Sequence, residues 1–205
     1  MTVLNSRAEP RPAPGASVRS ERALVLVGFG LAGAPVAAGI PPLLAVAQQL
    51  ADLLALPLHR LSPLDDPNSA LAARRHAAAS EADATSRHRD HGPGWVEVLE
   101  VDAGLALVPG GSWAEALGAW RQPCVLVIDA GQLPTGWPAA GTALLQHWRV
   151  PLLGLLQWGG TWDAMARRRD GLPWLGIVAG TEAGDGRQSA LAAVLALRWR
   201  QLDLG

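Results

Sequence analysis

The 205-residue chain contains no lysine and no tyrosine, and a single phenylalanine. Its 17 basic residues are therefore all arginine. One cysteine excludes an intramolecular disulfide framework and a cysteine-ligated zinc cluster. A formal net charge of −1 argues against a general nucleic-acid binder, which carries a strong basic balance. No apolar run approaches the roughly 18–20 residues of a membrane span. The opening MTVLNSRAEPRPAPGASVRSER lacks the apolar centre of a secretory signal. The expectation is a cytoplasmic protein with no nucleic-acid or membrane partner. Charged residues are also scarce, at 17%, against roughly 25% in typical soluble domains. That scarcity has two readings. One is a surface that meets a protein partner or a second copy, a homodimer for example. The simpler one is GC-rich codon usage, which favours Ala, Arg, Gly, Pro and Trp over Lys and Tyr.

Hydrophobic residues make up 49% of the chain, with nine tryptophans, and the length suits one domain with its own core. Residues 1–22 are rich in Pro, Arg, Ser and Ala and read as a disordered tail. Residues 23–205 read as a single domain. ALVLV at 23–27 is a continuous apolar run closed by glycine, the pattern of a strand buried on both faces. LLAVAQQLADLLAL then places Leu43, Ala47, Leu50 and Leu54 on one helical face. LPLHRLS reads as a second strand. The Ala-rich part of 64–94 predicts a helix capped by Asn68 or Ser69, and SRHRDHGPG a mobile loop. Apolar runs return at 95–101, 104–108, 124–129, 151–158 and 173–178. Helices are predicted over 112–120, 137–148, 161–169 and 187–202, the last with Leu191, Val194, Leu195 and Leu202 on one face. Short apolar strands alternating with amphipathic helices predict a three-layer α/β/α fold with a mostly parallel sheet of six to seven strands. Ligand sites in such sheets lie beyond the carboxyl ends of the strands.

The first such exit carries Gly28, Gly30 and Gly33, a literal G-x-G-x-x-G. A dinucleotide site needs a helix to start within that motif and an acidic residue after the second strand. Here Pro35, Gly39, Pro41 and Pro42 interrupt any immediate helix, and the second strand ends in His59, Arg60, Leu61 and Ser62. Glycines forming a tight strand exit are the simpler reading. The segment from Ala34 to Pro41 instead has the spacing of a phosphate-binding P-loop, with Ala34 and Gly39 at the two small positions. Ile40 stands where the lysine that neutralises the β/γ-phosphates belongs, and Pro41 where the Mg²⁺-holding hydroxyl belongs. If the loop descends from a P-loop, its phosphate chemistry is disabled at both polar positions.

VEVLEVDAGLALVPGGSWAEALGAWRQPCVLVIDAG resembles a stretch of the dethiobiotin synthetases. In that family a strand ending Val-Glu-Gly-Ala-Gly-Gly runs into Leu-Leu-Val-Pro; here Val101, Asp102, Ala103 and Gly104 precede Leu107, Val108 and Pro109. LLQHWRVPLLGLLQWGG and GLPWLGIV are similar to two later segments of the family. The resemblance covers about residues 23–61 and 95–200, and ParA/MinD-like partition ATPases share the same sheet plan. It implies a P-loop NTPase-like fold and, in a working family member, an ATP- and Mg²⁺-dependent ring closure on a diamine and CO₂. It carries Asp102 to an acidic Mg²⁺-ligand position and makes Asp65 or Asp66 a second carboxylate. It does not carry over the lysines, and Gln157 and Trp158 stand where the family has Leu-Asn. The chain therefore reads as a diverged, non-catalytic relative, a pseudoenzyme without cofactor; the alternative is an ATP- and Mg²⁺-dependent enzyme of that type with a lysine-free site, using arginine where relatives use lysine.

Other constellations have a functional and a plain reading. Asp102 and Asp129 follow apolar strands as a metal or general-base pair, or as caps of their turns, the preferred reading. Ser112, followed in order by Asp129 and His147, loosely resembles a serine-hydrolase arrangement. The same serine, with Glu115 three residues on, is a capping box, again preferred. His76, His88, Asp90 and His91 offer weak metal spacing. Arg167, Arg168 and Arg169 complement a helix end. Trp158, Trp162 and Trp174 near late strand ends line a partner surface or are ordinary packing.

Overall fold

The computed structural model describes residues 23–29, 42–61, 66–85, 94–107, 111–178 and 185–202. The chain runs β1 (Ala23–Gly28), α1 (Pro42–Leu54), β2 (Leu58–Leu61), α2 (Pro67–Thr85) and β3 (Trp95–Asp102). A two-residue pair follows, β4 (Ala106–Leu107) and β5 (Gly111–Ser112), then α3 (Trp113–Ala119) and β6 (Cys124–Asp129). The remainder is a 3₁₀ turn (Ala130–Gln132), α4 (Trp137–His147), β7 (Leu152–Trp158), α5 (Ala164–Arg169), β8 (Trp174–Val178) and α6 (Asp185–Leu202). The expected tail, 1–22, lies outside the described residues.

Six strands form one sheet in the order β2-β3-β1-β6-β7-β8, and every pairing is parallel. Parallel strands must be covered on both faces, and the unbroken apolar run of β1 supplies both. Leu24 and Leu26 pack with α1 and α6, and Val25 and Val27 with α2, α3 and α4. The result is the expected three-layer α/β/α architecture, with six strands in the main sheet. The described part of the apolar run at 104–108, residues 104–107, does not join it. Asp102 turns the chain at the end of β3, and Ala106–Leu107 pairs antiparallel with Gly111–Ser112 outside the sheet.

The helix boundaries follow local chemistry. Helix α2 is capped by Asp66, not by Asn68 or Ser69: Asp66 Oδ2 accepts from the Ser69 N–H at 2.8 Å, and Pro67 takes the first helical position, where its missing N–H costs little. Asn68 is thereby freed to accept from Trp120 Nε1 at 3.0 Å. Helix α5 starts at Ala164 rather than 161, because Asp163 Oδ1 accepts from the Met165 and Ala166 N–H groups. On α6 the buried stripe is Leu191, Leu195 and Trp199. Val194 and Leu202, expected on that stripe, are 37% and 40% exposed.

Two glycines set the geometry of the late strands. Gly154 in β7 and Gly176 in β8 both adopt φ of +154°. Each follows a leucine that the register skips, Leu153 opposite β6 and Leu175 opposite β7. The paired bulges invert the in-out alternation, so Leu153 and Leu156 face one core while Leu155 faces the other.

Candidate functional site

The strand order reverses at β1. Its exit leads to α1 on one face, while the flanking β3 and β6 lead to α3 and α4 on the other. This crevice beyond the carboxyl ends is where ligands bind in open α/β sheets. The end of β1 is clasped from both sides: the Gly28 carbonyl accepts from Ala103 N at 3.2 Å, and the Phe29 carbonyl from Gln132 Nε2 at 2.7 Å.

Asp102 ends β3 and Asp129 ends β6, so the two carboxylates flank the β1 exit. Two strand spacings separate their backbones, about 10 Å. Asp102 Oδ1 accepts from Gly104 N at 2.8 Å. Asp129 Oδ1 accepts from Gly131 N at 2.7 Å, and the Gln132 side chain returns a bond to the Asp129 N–H, a reciprocal capping box on the 3₁₀ turn. Both carboxylates thus hold their own turns. Asp66 caps α2 instead of joining them. Among the described residues no three His, Cys, Asp or Glu side chains group to hold a metal.

Several sequence candidates lie outside the described residues: Gly30, Gly33 and the loop positions Ala34, Gly39, Ile40 and Pro41, together with Asp65, His88, Asp90 and His91. His76 is exposed on α2 with Nδ1 at 2.7 Å from the Ala72 carbonyl. Ser112 is the N-cap of α3; its Oγ accepts from Glu115 N at 3.1 Å. His147 is not brought to it. Ser112 and Asp129 lie at the carboxyl side of the sheet, whereas α4 carries His147 away to its amino side, a run of about 16 Å for an 11-residue helix.

The three tryptophans separate. Trp158 packs on the α1/α6 core and Trp174 on the opposite one, because the register sets Trp174 beside Leu155, three residues before Trp158. Trp162 meets Trp174 edge-on, with centroids 6.1 Å apart. The Arg167 guanidinium lies 4.8 Å above the Trp174 ring, and Asp170 accepts from Trp174 Nε1 and pairs with Arg167. Gln157 is fully buried at the end of β7. Its Nε2 donates to the carbonyls of Gly159 and Thr161, and its Oε1 has no partner among the described residues.

The most built polar cluster escaped sequence reasoning and sits at the other end of the sheet. Glu97, 1% exposed in the middle of β3, accepts on Oε1 from Arg74 Nε at 2.8 Å and from Trp95 Nε1 at 2.9 Å. Next to Arg74 on α2, Arg75 lies 5.1 Å above the Trp120 ring, and Trp120 is held by its bond to Asn68. Ala23, Leu71, Trp95 and Gln122 complete the walls of a small cleft. Cys124 lies near Glu97. Burial foremost, and then the Glu97 charge, raise its thiol above the ordinary range, which favours the neutral thiol. The available signal was a carboxylate inside an otherwise apolar strand, VEVLEV.

No protein-family model matches the chain, and no curated protein matches it. No described helix is long and apolar enough to cross a membrane.

Proposed function

We propose that this chain is a P-loop NTPase-like protein that has lost nucleotide chemistry and acts as an interaction or assembly module, a diverged relative of the dethiobiotin synthetases and ParA/MinD-like ATPases. The charge at the β1 exit carries this reading. The carboxylates on either side are Asp102 and Asp129, and residues 30–41 contain no charged side chain. A Mg²⁺-triphosphate bound there would find carboxylates for the metal but no lysine for its β/γ-phosphates, since the chain has none. Ile40 and Pro41 at the two chemically essential loop positions add to this. The interaction side of the reading is supported by α6, where Val194, Leu197 and Leu202 are exposed.

Calorimetric titration of the full chain with ATP, with and without Mg²⁺, tests the reading. No heat is expected. Micromolar, Mg²⁺-dependent binding would refute it and favour the ATP-dependent enzyme, with Asp102 the first residue to mutate. Sedimentation across micromolar concentrations is expected to show self-association or a co-purifying protein. A monomer with no partner would refute the interaction role.

A further inference from the structure

We infer that the cleft at the amino end of the sheet, between α2 and the start of β3, is a receptor for an oxyanion of carboxylate size. This stands apart from the proposed function: it lies at the opposite end of the sheet and uses none of the same residues.

Two guanidinium groups line the cleft from adjacent positions, Arg74 and Arg75, against the single carboxylate of Glu97. Among the described residues the fixed charge there is therefore one positive unit in excess. Each guanidinium is held by a separate device. Glu97 engages Arg74 through Nε, at 2.8 Å, which fixes the guanidinium plane; among the described residues its two terminal nitrogens, the fork that matches a carboxylate or phosphate edge, have no bonded partner. Glu97 is itself locked by burial and by Trp95 Nε1. Arg75 is held by stacking on Trp120, whose indole N–H is anchored on Asn68. Gln122 is fixed in the wall by its bond to the Ala23 carbonyl at 2.7 Å. The free volume is about 20 Å³, enough for one water or the tip of a carboxylate. A buried carboxylate orienting one arginine and a ring orienting a second are more than stability requires, since replacing such a buried pair by apolar residues is commonly neutral. Preorganised donors lower the ordering cost of binding. The occupant is an acidic side chain presented by a protein segment; a free small oxyanion offers the same chemistry.

The test uses the full chain at low ionic strength, titrated with acetate, inorganic phosphate and a hexaglutamate peptide, and followed by isothermal calorimetry and by intrinsic tryptophan fluorescence, to which Trp95 and Trp120 in the cleft wall contribute. Sodium chloride serves as the ionic-strength control. A saturable change is expected, weakened tenfold or more in Arg75→Ala, which leaves the buried Arg74–Glu97 pair intact; circular dichroism checks its fold. Tighter binding of the peptide than of acetate assigns the site to an acidic protein segment. Equal or tighter binding of acetate or phosphate assigns it to free oxyanions. The inference is overturned if none of the three probes gives a saturable change beyond the chloride control, or if Arg75→Ala binds them as the native chain does.

Discussion

The Arg74–Glu97 pair should show a marked asymmetry on mutation. Arg74→Met strips a carboxylate that is 1% exposed of its charged partner, leaving only the Trp95 N–H at 2.9 Å. Breaking a buried pair by removing one partner costs about 3–5 kcal/mol, and the surviving indole bond places this case near 3 kcal/mol. For a domain of this size that is a fall of roughly 6–12 °C in Tm. Glu97→Leu should cost less. The Arg74 side chain is 33% exposed, so its head group can swing into water while its stem stays packed, at a cost of about 1 kcal/mol. The double variant should cost about 1 kcal/mol as well, because neither charge is then stranded. The cycle therefore predicts a coupling of about 3 kcal/mol. Urea unfolding of the four proteins, read by circular dichroism, measures it. Equal costs for the two single variants, or a double variant equal to their sum within about 0.5 kcal/mol, would show that Glu97 is not held as a buried charge.

Two further outcomes are expected. Gly154→Ala would put a methyl group 2.3 Å from the Pro173 carbonyl oxygen, main chain that cannot yield without parting β7 from β8, and should cost about 3 kcal/mol. Gly176→Ala, at the same φ, meets only Leu191 at 3.6 Å and should cost about 1–2 kcal/mol of backbone strain; the reverse order in urea midpoints would contradict the bulge packing. The Asp163 carboxyl is held below its ordinary value, chiefly by the Ala166 N–H, with Met165, Arg167 and Arg169 adding to this against desolvation. Its cap is therefore at full strength above the ordinary carboxylate value of 3.8 and is lost as pH falls through the lower folded value. Fraying of α5, seen as faster exchange of the Met165 and Ala166 amides, should begin only in that acid range. An Asp163 carboxyl that titrates above 3.8 in NMR would contradict this.

The sheet was legible because its signal is local. Each buried parallel strand must be apolar on both faces, so 23–27 and 124–129 announce themselves whatever lies beside them. What failed was whatever depends on a neighbour. The 104–108 run is apolar enough for a strand, yet the turn at Asp102 leaves it no place in the sheet. Val194 differs from Leu191 and Leu195 only in facing away from the sheet, and spacing alone did not tell them apart. The separation of Trp158 from Trp174 required knowing the β7–β8 register, which sets Trp174 beside Leu155, three residues before Trp158. At the site, Asp102, Asp129 and Ser112 were legible as caps because capping is decided within three residues. Glu97 was not, because its meaning depends on an arginine 23 positions earlier on a different element.

The position of β1 also sets a schedule for folding. It is the first described strand, yet it sits in the interior of the sheet between β3 and β6. Its partners lie far along the chain, with Val25 beside Glu97 and Cys124. Those separations, about 70 and 100 residues, are non-local pairings of the kind that slow folding. At ribosomal speeds of about 5–20 residues per second, Ala23–Gly28 waits about 5–20 s for β6 to be synthesised. Until β3 is made, one of the most apolar segments of the protein has both edges unpaired, and until β6 is made it keeps one open. A nascent chain stalled before Cys124 would therefore present a sticky strand with one open edge, and the hazard ends only when β6 closes it.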